Sequence, residues 1–337
     1  MPPGHDDVRR ADRLIWTTIT AIAAAVAASC IFGSFRTEWV SFWPAALASS
    51  LLCAAGQYYL MVRKDPRAAS ALICTAQLAV FAAVGAPLSY VAASAAFPLW
   101  DETFWAWDNR LGLDWMALLG AMNNHPALHR VFAAAYQSYP VQSIVVVLAL
   151  AATGRILRLR VYLLSFMLTA LVTIAVSVVM PAQGVWGHMG LSAADYAVPP
   201  VTRELHLSIF HGLRDGTFRD LVAQGAQGII TFPSLHTAIG ILFITAMWPV
   251  KYLRWVAMLV NVTMIAATPV DGGHYFTDVI AGAAVAALCW TAVARILGTA
   301  SGVASKDIPI VNDPPSIVPD TISVTEIAAS SRKLEAV

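Results

Sequence analysis

Apolar residues fall along this chain in blocks of about 20, the length an α-helix needs to cross a bilayer. Eight such blocks lie at residues 14–34, 39–62, 70–96, 128–152, 160–181, 233–250, 253–270 and 275–297. They predict an all-α protein, a polytopic membrane helical bundle of about eight transmembrane helices. The first block follows a polar start with Arg9, Arg10 and Arg13 and lacks a small-residue cleavage site. It therefore reads as a first membrane helix rather than a removed signal peptide.

Two long connections break the pattern. Residues 98–126 interleave Trp100, Trp105, Trp107 and Trp115 with Asp101, Glu102, Asp108, Arg110 and Asp114. Tryptophan beside charge marks the membrane–water boundary, so one or two surface-lying amphipathic helices are predicted there, as anchors or as a lid. Residues 182–232 form the second connection, with an amphipathic helix or two expected within 202–224. A loop of that length usually has a function or its own helices. After about residue 300, Ser, Pro, Asp and Lys replace the apolar blocks, and a disordered tail is expected.

Charge adds an orientation. Arg63, Lys64 and Arg67, then Arg155, Arg158 and Arg160, then Lys251 and Arg254 cluster in connections that eight spans place on the N-terminal side. The positive-inside rule makes that side cytoplasmic, with both termini there. In a bacterium the membrane would be the plasma (inner) membrane. The connections near 35–38, 97–127, 182–232 and 271–274 then face outward. The chain is 58% hydrophobic and 12% charged, against about 25% charged in soluble domains, which excludes a soluble enzyme. Net charge is +1, so no nucleic-acid partner is implied. Cys30, Cys53, Cys74 and Cys289 lie in apolar blocks without paired spacing; neither a disulfide framework nor a metal site is expected.

The chemistry concentrates in two stretches that each open an apolar block, Phe232-Pro233-Ser234-Leu235-His236-Thr237 and His274-Tyr275-Phe276-Thr277-Asp278. His274 and Asp278, four residues apart, share one helix face. A carboxylate there fixes the imidazole tautomer and leaves the other nitrogen as nucleophile or base. His236 would be the second proton-handling group. The charge pattern, which is independent of catalysis, puts both histidines at outer helix mouths.

Phosphoryl transfer without a metal needs a nucleophile, an acid and positive charge or N–H groups around the phosphate. The helix starts at Ser234 and Gly273 offer amides to an anion, and Gly272-Gly273 permits close backbone approach. Ser234 and Thr237 suit hydrogen bonds to phosphate or, more commonly, a helix cap. Arg203, Arg214 and Arg219 could clamp a phosphate or pair locally with Glu204, Asp215 and Asp220. Tyr136, Gln137, Ser138, Tyr139 and Gln142 interrupt an apolar block near Pro140, as interhelical hydrogen bonds or as the lining of a headgroup pocket. His188, His206 and His211 are spaced too loosely for a metal set. No metal and no cofactor is expected.

Phe-Pro-Ser-Leu-His and His-Tyr-Phe-Thr-Asp resemble the second and third motifs of the type-2 phosphatidate phosphatase superfamily, the lipid phosphate phosphatases. The branch most similar is that of inositol phosphorylceramide synthase and, more distantly, sphingomyelin synthase. The resemblance implies His274 as nucleophile, Asp278 as its partner and His236 as acid. It covers about residues 80–300 and implies a six-helix core within a membrane region of 70–300. Residues 1–69 would then be an N-terminal tail with two added helices, and 301–337 the tail. Two departures stand out. The phosphatase branch carries Lys and Arg in its first motif, where this chain has Met180-Pro181-Ala182-Gln183-Gly184, and an Arg where this chain has Thr268. A phosphodiester carries less charge than a monoester and needs fewer cations. The reading that follows is a lipid phosphotransferase working through a phosphohistidine, with a phospholipid donor, a lipid alcohol or water as acceptor, and the bilayer as its setting. A lipid phosphate or polyprenyl-diphosphate phosphatase with the same residues is the alternative. A non-catalytic lipid-binding or transport protein is the alternative of another class. Oligomeric state is not set by the sequence.

Overall fold

The computed structural model describes residues 5–201, 204–223 and 228–298. The expected tail at 301–337 lies outside the described residues, as does Arg203. Thirteen helices are described: α1 (His5–Phe32), α2 (Trp39–Met61), α3 (Pro66–Ala93), α4 (Asp101–Arg110), α5 (Trp115–Asn124), α6 (Pro126–Gln137), α7 (Tyr139–Ala152), α8 (Ile156–Val179), α9 (Gly184–Met189), α10 (Glu204–Asp215), α11 (Leu235–Met247), α12 (Leu253–Gly272) and α13 (Phe276–Ile296). Two-residue strands β1 (Arg36–Thr37) and β2 (Asp220–Leu221) pair in parallel. The all-α membrane bundle is therefore what the chain forms.

The spans differ in detail from the eight expected. Among the described residues, six helices are long and apolar enough to cross a membrane, or seven if α6 and α7 count as one span bent by 53°. Pro140 sits in the first turn of α7, where its missing N–H removes no intrahelical bond. The block 233–250 gives only α11, with 13 residues. At 1.5 Å per residue that is about 20 Å, short of a bilayer. Pro233 and the Ser234 cap delay its start, and Pro249 follows its end.

α8 is the central pillar, packed against α1, α3, α11 and α13. Leu159, Tyr162, Leu163 and Met167 on α8 meet Leu242 and Phe243 of α11 in the main apolar core. α2 packs on α3, where Gly56 lets the chains meet at Ile73. Its other face exposes Trp39, Trp43, Leu47 and Leu51, as suits a helix bathed in lipid. Arg160, expected in a cationic connection, lies inside α8 and is buried. Its guanidinium pairs with Asp12 of α1 at 3.2 Å, because a charge at that depth needs a partner. Arg155 and Arg158 donate to the carbonyls of Pro249, Ala246 and Thr245, satisfying acceptors at the end of α11.

Candidate active site

α12 ends at Gly272, and Gly273 turns the chain with φ +67, a conformation that glycine adopts at little cost. A side chain at Gly272 would stand 2.6 Å from the His274 ring and 2.7 Å from the Tyr136 hydroxyl. Close backbone approach is thus what this glycine pair provides. His274 follows, then α13 begins at Phe276.

His274 Nδ1–H donates to Asp278 Oδ2 at 3.1 Å, and the Tyr275 amide donates to the same oxygen at 3.0 Å. The tautomer this favours leaves Nε2 with its lone pair. Burial holds the His274 imidazole below its ordinary pKa, opposed by a backbone hydrogen bond with Thr231. His236, in the first turn of α11, lies within electrostatic range of His274. Tyr136 stacks on its ring at 4.0 Å and Tyr139 meets it edge-on at 4.9 Å. The Tyr136 hydroxyl is 3.1 Å from His236 Nδ1.

α11 and α13 meet because the Ser234 amide donates to the Asp278 carbonyl at 3.0 Å and because Gly282 has no side chain. A Cβ at Gly282 would lie 2.3 Å from the Ser234 carbonyl oxygen. Gly282→Ala should therefore cost about 1–3 kcal/mol through overpacking. An unfolding midpoint in detergent equal to that of the parent would contradict this.

The remaining expected residues divide. Ser234 caps α11 by accepting from the Thr237 amide, while the Thr237 hydroxyl is buried without a partner. Tyr136 is buried beside His236, but Gln137 on the same helix is exposed and belongs to no pocket with the histidines. Arg219 is engaged by Ser34, Leu213 and Phe218. Arg214 donates through Nη2 to the Phe97 carbonyl at 2.8 Å, and its buried Nη1 has no partner. Neither arginine forms the expected ion pair with Asp215 or Asp220. Among the described residues no three His, Cys, Asp or Glu side chains converge as a metal set.

The amides at the start of α13 are not available to an anion as expected, because carboxylates occupy them. Asp108 accepts from the Phe276 amide at 2.7 Å, from the Thr277 amide at 2.9 Å and from the Thr277 hydroxyl. Asp101 accepts from the Tyr275 hydroxyl at 2.8 Å and from the amides of Gln183 and Gly184. Burial pushes the Asp101 carboxyl above its ordinary value, and these hydrogen bonds oppose the shift. The interfacial stretch does fold as two helices, α4 and α5, but α4 is more than an anchor. It holds the loop that carries His274 through two buried carboxylates seven residues apart. Trp115 adds its indole N–H to the His274 carbonyl at 3.1 Å. That seven-residue spacing, with Phe104 between, was the available sequence signal for a buried face.

α10 closes the same side. His206 Nδ1–H donates to the Gly228 carbonyl at 2.6 Å. Burial pulls its pKa down to about 4, helped by the nearby His274 and His211 and opposed by that hydrogen bond. The folded state thus disfavours the protonated ring. The contact's stability is present above about pH 6.5, the unfolded value, and is lost as pH falls toward 4. Hydrogen exchange across α10, corrected for intrinsic rates, should rise between about pH 7 and pH 4.5. The same profile in His206→Gln would contradict this account.

The sequence itself places the chain in a family. Residues 102–292 match the sequence profile of the PAP2 superfamily. The chain belongs to the PAP2 superfamily. No curated protein and no solved structure matches it. PAP2 proteins are phosphatases and phosphotransferases of lipid phosphates, and this chain is an integral membrane enzyme of that general type. The matched residues begin in α4 and end within α13, so His236, His274 and Asp278 lie inside them, while α1–α3 lie outside.

Proposed function

We propose that this PAP2 protein transfers a phospho-headgroup between lipids through a phosphohistidine on His274. His274 Nε2 attacks phosphorus and the bond from phosphorus to the leaving lipid oxygen breaks. His236, as imidazolium, gives its Nε2 proton to that oxygen while Nδ1 donates to Tyr136. The acceptor alcohol then attacks phosphorus, its proton passes to His236, and the nitrogen–phosphorus bond breaks. Asp278 holds the His274 tautomer and stabilises the charge that builds on the ring. Thr237 and the first-turn amides of α11 face the phosphate, with Arg214 as the cation that reaches it through Nη1.

The observation that carries the reading is the pair of histidines, one on Asp278 and one on Tyr136, at the meeting point of α11 and α13. Transfer is preferred to hydrolysis for two reasons. The positions that would carry cations in a monoester phosphatase are closed here: the Gln183 and Gly184 amides bind Asp101, and the Thr268 hydroxyl bonds the Met264 carbonyl. The centre is also dry, with Ser234, Thr237 and Asp278 fully buried and His274 nearly so, which disfavours water as acceptor. With α11 taken as a short eighth span, the cationic connections support an extracytoplasmic site and cytoplasmic termini in the plasma membrane; the reaction we assign is inositol phosphorylceramide synthase-like.

The test incubates detergent-purified protein with a phospholipid panel, with and without ceramide or diacylglycerol, and reads products by mass spectrometry. A new phospho-headgroup lipid that needs both His274 and His236 is expected. Free phosphate or free headgroup phosphate alone would establish the phosphatase alternative. Conversion that survives in both His274→Ala and His236→Ala would exclude the scheme.

A further inference from the structure

The α1–α2 hairpin lies outside the family match, yet its connecting loop grips the part of the chain that leads to His236 and His274. The Arg36 amide donates to the Arg219 carbonyl at 2.9 Å and the Glu38 amide to the Leu221 carbonyl at 3.0 Å, which joins β1 to β2. The Ala223 amide donates to the Ser41 hydroxyl at 3.0 Å. Arg219 ties the two sides together. Its Nε donates to the Ser34 hydroxyl at 3.0 Å, and its guanidinium carbon lies 5.2 Å from the centre of the Phe35 ring. Its Nη1 donates to the carbonyl of Leu213, in the last turn of α10, at 2.6 Å.

What the loop grips covers the site. His206 of α10 donates to the Gly228 carbonyl. Three residues on, the backbone of Thr231 hydrogen-bonds His274, and the chain then enters the Phe232–His236 stretch. His206 itself lies within electrostatic range of His274. Among the helices, α10 packs chiefly on α3, so the loop supplies much of what holds its far end. His274 is 4% exposed, and a lipid reaches it only after something moves.

The grip has the build of a releasable contact. Phe35 and Leu221 are buried and seat it, but Arg36, Glu38 and Asp220 are exposed. A ladder two residues long does not persist without other support. Behind it, α2 packs on α3 and turns its other face to lipid. Parts held by few buried contacts and by exposed backbone hydrogen bonds open before the core does. We propose that the α1–α2 hairpin is a strap on a lid: the 34–41 loop holds α10 and residues 218–223 over His274, Arg219 is the positioning residue that fastens them, and release of the strap admits lipid to the histidines. The proposal rests on the transfer reading for the claim that lipid must reach His274; the strap itself concerns access alone.

Access is measured without turnover. Full-length protein in detergent is treated with diethyl pyrocarbonate, which acylates neutral imidazoles, and the rate at each histidine is read by peptide mass spectrometry. Arg219→Ala should raise the rate at His274 about tenfold or more, because the lid loses several hydrogen bonds at once. His125, exposed between α5 and α6, should keep the parental rate. The reverse experiment closes the strap. Arg36 and Asp220 are partners in the β1–β2 register, and neighbouring strands lie about 4.8 Å apart, within the span of a disulfide. Arg36→Cys with Asp220→Cys is made in a Cys30→Ser background, since Cys30 Sγ lies 3.1 Å from the Thr37 hydroxyl of the same loop. Oxidation should lower labelling of His274 about tenfold, and reduction should restore it. Equal rates at His274 in the oxidised and reduced forms would overturn the proposal, whether or not Arg219→Ala folds. So would a cysteine pair that does not cross-link, or an Arg219→Ala protein that melts with the parent and labels His274 at the parental rate. Because no product is measured, an inactive wild type would count against the transfer reaction and not against the strap.

Discussion

His274→Ala should lower turnover by about 10⁴-fold or more, with little change in lipid binding. The covalent route depends on one nitrogen, and residues acting as a nucleophilic unit lose nearly everything when that atom goes. The fold should survive. Asp278 keeps the Tyr275 amide on Oδ2, and the Ser234–Asp278 backbone bond does not involve the imidazole. Product formation under saturating lipid, compared with the unfolding midpoint of the same preparation, separates the two effects. A variant that keeps more than about a hundredth of parental turnover would mean that another group attacks phosphorus.

Asp108→Ala is expected to have the largest effect on stability. Its carboxylate accepts from two first-turn amides of α13 and from the Thr277 hydroxyl, at 1% exposure. Truncation removes a helix cap and leaves three donors in a place that water reaches poorly. A cost of about 3 kcal/mol follows from the cap together with the charged hydrogen bonds. Turnover should fall with it, because α4 would no longer hold Tyr275 and Asp278 in register with His236. Asp114→Ala is the control: it caps α5 through the Ala117 amide but lies in an exposed position, and about 1 kcal/mol is expected there. Equal midpoints for the two variants in denaturant would contradict the role given to α4.

The apolar blocks carried most of the fold, because a bilayer-crossing helix must be long and continuous and leaves that mark on the sequence. The block at 233–250 did not reveal its helix length. Hydropathy does not register that Pro233 and the Ser234 cap keep the chain out of the helix until residue 235. The His274–Asp278 pair was legible from local spacing, since the two meet within one turn. Partners that come from distant sequence were not. Asp101 and Asp108 looked like solvated charges among interfacial tryptophans, and only the fold shows that they face inward. His129 and Asp271 meet across 142 positions of chain (271 − 129), with no periodic signal linking them. The same long-range pairing explains the amides of α13: an N-terminus is a ready anion site, and here the protein supplies its own anions.

The measurement that bears most directly on the central claim is capture of the intermediate. The protein is mixed with donor phospholipid labelled in its phosphate, with acceptor left out, quenched in alkali, and digested for mass spectrometry. The account predicts a phospho-adduct on the peptide containing His274, stable to base, lost in acid, and absent from His274→Ala. Steady product formation by the wild type with no adduct on that peptide, or with the adduct on another residue, would contradict it.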